Sequence, residues 1–359
     1  MSGFVREQNR PLRQGGVGVR WPGEWEPHAA TWLAWPHSRE TWPGCLERAE
    51  TDFAAIVRAL HRRERVHLAV GDAALEARAR RALAAAGVDP ASGQGVFFHA
   101  IPTDDAWMRD HGPVFVLRDR DGTSETAVLD LGFDAWGGKY PPWEHDAAVP
   151  AAVARELGLH CHATGGVLEG GSIDGNGAGT VLTTEACLLH PNRGGRSREQ
   201  AEELLAEALG ARQVIWLSDG IAGDDTDGHV DDVARFVSSD TVVTAVPGDP
   251  NHADAAVLRD AERRLRAARD AEGRPLRVAT LPVPPPMRDP AGSPLPASYA
   301  NFYLANGVCL LPSFGAAEDA QAEAVLAELL PGREIVRIEA RTLVRGLGTV
   351  HCLTQQQPA

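Results

Sequence analysis

No CxxC pair occurs in this chain of 359 residues, and its five cysteines (Cys45, Cys161, Cys187, Cys309 and Cys352) are odd in number and widely spaced. That pattern excludes a disulfide scaffold and argues against a structural zinc site, since both need cysteines in sets. Basic residues are in short supply: 35 Lys and Arg stand against 49 Asp and Glu, a formal net charge of -14. Phosphate binding needs a basic surface, so no nucleic-acid partner is expected. An acidic balance suits a cationic small substrate, although many soluble proteins are simply acidic. Apolar runs such as residues 308–314 are too short to cross a bilayer, so no membrane partner is expected either. Arg6, Arg10, Arg13 and Arg20 near the N-terminus have no apolar segment behind them, as a secretory signal would require. The expected location is the cytoplasm.

What is present is a globular composition, 43% hydrophobic and 23% charged, in a chain long enough for a substantial core. β-rich runs alternate with Ala/Leu/Glu/Arg-rich segments. Strands are expected over 66–70, 96–101, 113–117, 127–131, 180–184, 213–217, 241–246, 276–281, 308–312 and 334–338. Helices are expected over 46–62, 73–86, 147–157, 197–209, 253–270 and 318–330. Five times the order is a polar strand start, a strand, a helix and a returning strand, opening near Asp110, Glu169, His229, Asn301 and Cys352. The last unit would be completed by the N-terminal strand near residues 31–35 and its helix. Such a period suits either a closed ring of small modules or an ordinary open α/β sheet. No composition break marks a second domain, so residues 1–359 are read as one domain with a flexible segment over 1–20. The Pro-rich stretch 282–296 is read as a long surface loop.

Four constellations gather residues capable of chemistry. The first, residues 107–113, holds Trp107, Asp110 and His111 just before a strand; its Asp-His-Gly-Pro run also suits a plain turn. The second, residues 168–177, is glycine-rich but lacks the Lys-Ser/Thr of a P-loop and the dinucleotide spacing, so no nucleotide cofactor is expected. Residues 174–177 read as a hairpin turn. Glu169 beside Gly170 and Gly171 is the better site candidate, because backbone without Cβ permits close approach of a ligand. In the third, residues 223–232, His229 stands among carboxylates. Calcium loops space their ligands differently and catalytic zinc wants several histidines, so no metal is expected. Strand alternation would put His229 and Asp231 on one face, an acid/base group beside an anion. The fourth, residues 346–356, carries Cys352 among polar neighbours, an odd place for a core cysteine and a good one for a nucleophile.

Taken together and in order, these motifs resemble the agmatine deiminase and bacterial peptidylarginine deiminase family of the guanidine-modifying superfamily. The similarity runs from about Trp25 to the end and includes residues 30–36, 107–113, 135–138, 169–171, 228–231, 297–303 and 351–357. The resemblance implies a pentein-type α/β fold, a five-bladed pseudo-symmetric propeller of ββαβ units. It implies cofactor-independent hydrolysis of agmatine, a small cationic guanidine, with Cys352 as nucleophile and His229 as general acid/base. Asp110 and Asp231 match the carboxylates that grip the planar guanidinium, with Glu169 as a further acidic group. Trp107 and Trp136 match positions lining the pocket, where indoles suit a cation or alkyl chain, or serve as packing groups. Asp225 is a candidate for the far ammonium. Family members commonly self-associate, which leaves a homo-oligomer open.

The chain departs from the family pattern in three places. His111 stands where a threonine is usual, Asp227 where an asparagine is usual, and Asp232–Phe236 where a Cys-containing run is usual. None removes a proposed catalytic group, but each flanks the pocket. Free or peptidyl arginine is therefore the alternative substrate, and a non-catalytic guanidine-binding protein the remaining one.

Overall fold

The computed structural model describes residues 18–89, 95–120 and 122–359. Their strands form five separate open sheets of three or four strands, and a sixth of two. In each of the five, an antiparallel pair is followed by a helix and a third strand parallel to the second. The first runs Val114–Arg120, Thr123–Asp130, helix Val149–Leu157, Cys161–Ala163. The next is Asp174–Gly175, Thr180–Thr184, helix Arg198–Leu209, Gln213–Leu217. Then come Ala234–Phe236, Thr241–Ala245, helix Ala255–Ala267, Arg277–Leu281, and Tyr303–Ala305, Val308–Ser313, helix Glu318–Leu329, Glu334–Glu339. The fifth joins the chain's two ends. C-terminal Gln355–Pro358 pairs antiparallel with His28–Ala34, which runs parallel to Arg65–Ala69 after helix Leu46–Leu60.

Middle strands such as Thr241–Ala245 are buried along their whole length, as strands covered on both faces must be, and they are correspondingly β-branched. The helix Ala255–Ala267 buries Leu258, Ala261 and Leu265, one stripe at helical spacing, and leaves its arginines outside. Arg198–Leu209 begins at a capping box in which Ser197 and Gln200 satisfy each other's backbone N–H, and ends at Gly210 with φ 70°. The hairpin expected over 174–177 is present. Asn176 Oδ1 accepts from Ala178 N and Thr180 N at 2.9 Å each, and Gly177 and Gly179 take positive φ that a bulkier residue would resist.

Three expectations need correction. His229 and Asp231 do not alternate on a strand: His229 immediately precedes a single 3-10 turn, Val230–Asp232, because the strand starts only at Ala234. The Pro-rich stretch carries a small hairpin, Met287–Arg288 with Pro294–Leu295, rather than a featureless loop. Of the flexible segment expected over 1–20, residues 1–17 lie outside the described residues. Val19–Arg20 form a strand paired with Val114–Arg120.

Candidate active site

The polar strand starts are where the five modules meet. Asp110 sits on the helical turn Met108–His111 that precedes the first sheet. Glu169 immediately precedes the 3-10 turn Gly170–Ser172, and His229 immediately precedes Val230–Asp232, neither side chain capping its turn. Asn301 precedes strand Tyr303–Ala305, and Cys352 precedes Gln355–Pro358. A turn fixes a side chain at the sheet's end without committing its backbone to the ladder, so each module aims one polar group at the same region.

Gly171 marks the centre. A Cβ there would lie 2.6 Å from His229 Nδ1, 2.7 Å from Asp110 Oδ1 and 3.2 Å from Asp231 Oδ2. Its backbone N–H donates to Asp110 Oδ1 at 2.9 Å, and Trp136 Nε1 donates to Asp110 Oδ2 at 3.0 Å. Trp136 and Ala135 both hold positive φ, 57° and 55°, an uncommon conformation for non-glycine residues that aims the indole at Asp110. His229 Nδ1 lies 3.7 Å from Asp110 Oδ1, and its Nε2 lies 4.0 Å from Glu169 Oε2. Asp231 Oδ2 is 3.7 Å from Cys352 Sγ and 2.7 Å from His351 Nδ1.

Cys352 is anchored from the neighbouring module. Asn301 Nδ2 donates to its sulfur at 3.2 Å, while Asn301 Oδ1 accepts from Thr349 Oγ1 at 2.6 Å and His351 N at 3.0 Å. Cys352 lines a cavity of about 550 Å³ together with Asp110, His229, Trp107, Trp136 and Asp225. Gly348 lets Trp107 approach; a Cβ there would meet the indole at 2.5 Å and Cys352 Cβ at 3.0 Å. Asp225 stands near the mouth, its carboxylate accepting from Tyr140 Oη with Lys139 Nζ 3.7 Å away.

Glu169 and Asp231 do not line the cavity but are fully buried. Arg193 holds Glu169 Oε1 at 2.9 Å and also pairs with Asp227. Asp227 takes φ 67°, which Asp tolerates as Asn does, and its carboxylate also accepts from Lys139 Nζ at 2.8 Å and Asn192 Nδ2 at 2.9 Å. The departure from asparagine thus adds a charge where two cations meet it. His111 is buried against Phe133, 3.6 Å from Asp146, and does not line the cavity. Asp232 does line it.

Burial, then Asp231 and Glu169, push the Asp110 carboxyl well above its usual range. Burial, then Asp231, Asp232 and Asp110, push the Cys352 thiol well up. Burial lowers His229 to about 3, so its imidazole is neutral at physiological pH. Burial would raise Asp231, but the hydrogen bond from His351 and the charges of its neighbours, Arg235 among them, together outweigh it, and the carboxyl is held below its usual range. Without a cation, the site therefore keeps a neutral thiol and a neutral imidazole, and its surroundings favour the neutral form of the Asp110 carboxyl. Asp231 Oδ1, Glu169 Oε2 and His229 Nε2 are buried with no hydrogen-bond partner, an expensive arrangement that donors on a ligand could relieve.

Several groups at this centre lay outside the sequence-level candidates: Glu24, Arg193, Arg235, Asn301 and His351. His351 was signalled only by its place beside Cys352, and Asn301 only as a module opening. Among the described residues, one set with metal-ligand chemistry comes together, Glu169, Cys187 and His229, its ligand atoms within 4.8 Å of one another.

Residues 20–358 match the family model described as Porphyromonas-type peptidyl-arginine deiminase. The agmatine deiminase of Ectopseudomonas mendocina is 38% identical, over 95% of this chain and 96% of its own length. The structure of the agmatine deiminase of Enterococcus faecalis superposes with a TM-score of 0.87 at 32% identity, covering 95% of this chain and 96% of that one. A substrate-bound cysteine-to-serine variant of the C. jejuni agmatine deiminase gives 0.85 at 27% identity, covering 98% and 99%.

Proposed function

The chain belongs to the Porphyromonas-type peptidyl-arginine deiminase family, and from that membership we propose that it hydrolyses agmatine to N-carbamoylputrescine and ammonia, a step toward putrescine. The observation that carries the reading is the convergence of Cys352, His229 and Asp110 on an acidic cavity, with the buried Asp231 3.7 Å from the Cys352 sulfur. A guanidinium is planar, cationic and rich in paired N–H donors. Carboxylates match it two bonds at a time, and the partnerless oxygens Asp231 Oδ1 and Glu169 Oε2 can accept from it.

The cation also switches on the nucleophile. Three carboxylates and burial keep Cys352 protonated; a positive charge beside it favours the thiolate. The thiol proton passes to neutral His229 and the sulfur adds to the guanidinium carbon. The tetrahedral adduct expels ammonia, which takes the proton from His229, leaving a thiouronium on Cys352. Water then loses a proton to His229 and attacks the same carbon. Departure of the sulfur, which takes the proton held on His229, releases the ureido product and restores the thiol and the neutral imidazole, while the remaining hydroxyl proton leaves with the ammonia as ammonium. Asp110 and Asp231 hold the substrate throughout, while Trp107 and Trp136 cover its planar and alkyl parts. Asp225 meets the far ammonium at the cavity mouth.

We read residues 1–359 as one domain whose five similar sheets are the blades of a propeller, with the site on its axis, and place the enzyme in the cytoplasm. No helix among the described residues is long and apolar enough to cross a membrane. The test is chemical. Agmatine and the enzyme should yield ammonia and the ureido product in equal amounts. Acid quenching during turnover should trap an adduct whose peptide maps to Cys352. An adduct on another cysteine, or full turnover by Cys352→Ala, would overturn the mechanism.

A further inference from the structure

Cys187 takes no part in this chemistry, yet it is fully buried beside two groups that do. It lies on the helical turn Glu185–Leu188, whose cap Thr184 accepts from Cys187 N at 3.2 Å and donates to Gly228 O at 2.5 Å. The same threonine therefore ties Cys187 to the segment that carries His229. Its sulfur, a carboxylate oxygen of Glu169 and a ring nitrogen of His229 all fall within 4.8 Å of one another. His229 Nε2 and Glu169 Oε2, 4.0 Å apart, are both buried with no hydrogen-bond partner. Arg193 engages only the other oxygen, Oε1, so Oε2 is available to a ligand.

A thiol, an imidazole and a carboxylate are the three donor types zinc prefers. Bond lengths of about 2.0–2.1 Å to nitrogen or oxygen and about 2.3 Å to sulfur place tetrahedral ligand atoms roughly 3.3–3.6 Å apart. The cluster needs to close by up to about 1.5 Å to reach that spacing. The charges also match: with the Cys187 proton released to solvent, one thiolate and one carboxylate neutralise Zn²⁺, while Arg193 keeps Asp227 as its partner.

We propose that Glu169, Cys187 and His229 form an inhibitory site for a soft divalent cation such as Zn²⁺, with the fourth coordination position facing the cavity that His229 lines. A metal on His229 takes the imidazole needed for proton transfer and sets a positive charge where the guanidinium must bind. The inhibition rests on the acid/base reading of His229; the binding does not.

The full-length protein, freed of metal, is titrated with Zn²⁺ against a chromophoric chelator, and agmatine turnover is followed in parallel. Wild type and Cys352→Ala should each bind one equivalent equally well, and wild-type turnover should be lost at one equivalent and restored by EDTA. Cys187→Ala should turn over normally without Zn²⁺ and need on the order of a hundredfold more of it for binding and inhibition, as expected from losing a thiolate ligand. Should Cys187→Ala fold poorly, Cd²⁺ is added to Cys352→Ala and to the double variant carrying Cys187→Ser. A cadmium–thiolate absorbance should appear only where Cys187 remains. Unchanged affinity in Cys187→Ala, absence of stoichiometric binding, or loss of binding in Cys352→Ala would each overturn the site. Zn²⁺ bound as expected but without loss of turnover would overturn its inhibitory role and count against the role given to His229.

Discussion

The sulfur of Cys352 is surrounded by groups that oppose its ionisation: Asp231 at 3.7 Å, Asp232 and Asp110 nearby, and almost no solvent. The Asp110 carboxyl is pushed up for the same reasons. A cation entering the site lowers both; the thiol proton passes to His229, whereas binding draws a proton from Asp110 into solvent, so affinity should rise with pH and weaken as pH falls. Calorimetry of agmatine binding to Cys352→Ala, in two buffers of different ionisation enthalpy, should report net proton release from Asp110. Proton uptake would contradict the scheme. Asn301 supports the same sulfur from a different module. A hydrogen bond to a charged group is worth about 1.5–3 kcal/mol, so Asn301→Ala should lower kcat by roughly ten- to a hundredfold. KM should change little, because the thiolate matters in the chemical step; a loss confined to KM would make Asn301 a binding group instead. The substrate's own charge does the electrostatic work, so exhaustive chelation should leave turnover undiminished. Activity lost on chelation and restored by one divalent metal would refute that.

At the scale of elements, long strands and helices were legible because their periodicity is local: 180–184 and 213–217 were expected and found as Thr180–Thr184 and Gln213–Leu217. The elements that carry the site were not. Met108–His111, Gly170–Ser172 and Val230–Asp232 are single turns, too short for a period, and a His-x-Asp spacing reads equally well as strand alternation. Gly171 shows what such a turn must permit. Its φ is ordinary, so alanine is acceptable to the backbone, but the added methyl would crowd His229 and Asp110 at 2.6 and 2.7 Å. Gly171→Ala should keep a cooperative melt close to wild type and lose at least about a hundredfold in kcat/KM, the scale set by displacing catalytic groups by about an ångström. Unimpaired turnover would show that the three side chains need not meet there.

Across the whole molecule, the motifs of the candidate site were readable because each is a short run of sequence, whereas the charges that hold the runs together were not. Glu24 is the clearest case. Its carboxylate accepts from His351 Nε2 at 2.9 Å, Arg109 Nη2 at 3.1 Å and the backbone N–H of Leu304 at 2.8 Å, and forms an ion pair with Arg235 Nη2 at 2.8 Å, joining four of the five modules. These partners lie 85 to 327 residues away, so no local signal could announce them. Burial would raise Glu24, but Arg235, His351 and Arg109 outweigh it and hold the carboxyl well below its usual range. A depressed carboxylate contributes stability that is complete above the ordinary glutamate value of about 4.3 and is lost as pH falls below it. Glu24→Gln leaves the buried Arg109 without its carboxylate and Arg235 with Asp174 alone, and should destabilise the fold by about 3–5 kcal/mol at neutral pH, with the difference from wild type shrinking in acid. Equal denaturant midpoints at pH 7 would contradict this.

The cavity as a whole decides the substrate. Nine Asp and Glu side chains line it against two cations, Lys139 and Arg345, and Lys139 is already paired with Asp227. Agmatine presents a positive group at each end and no carboxylate. Arginine brings an α-carboxylate into this surface, and an unpaired buried charge costs several kcal/mol, each 1.4 of which is a factor of about ten. Steady-state kinetics on agmatine, free arginine and an arginine-containing peptide test this most directly. The kcat/KM for agmatine should exceed that for free arginine by at least about a hundredfold and should not fall below that for the peptide. Comparable efficiency on arginine, or a preference for the peptide, would contradict it.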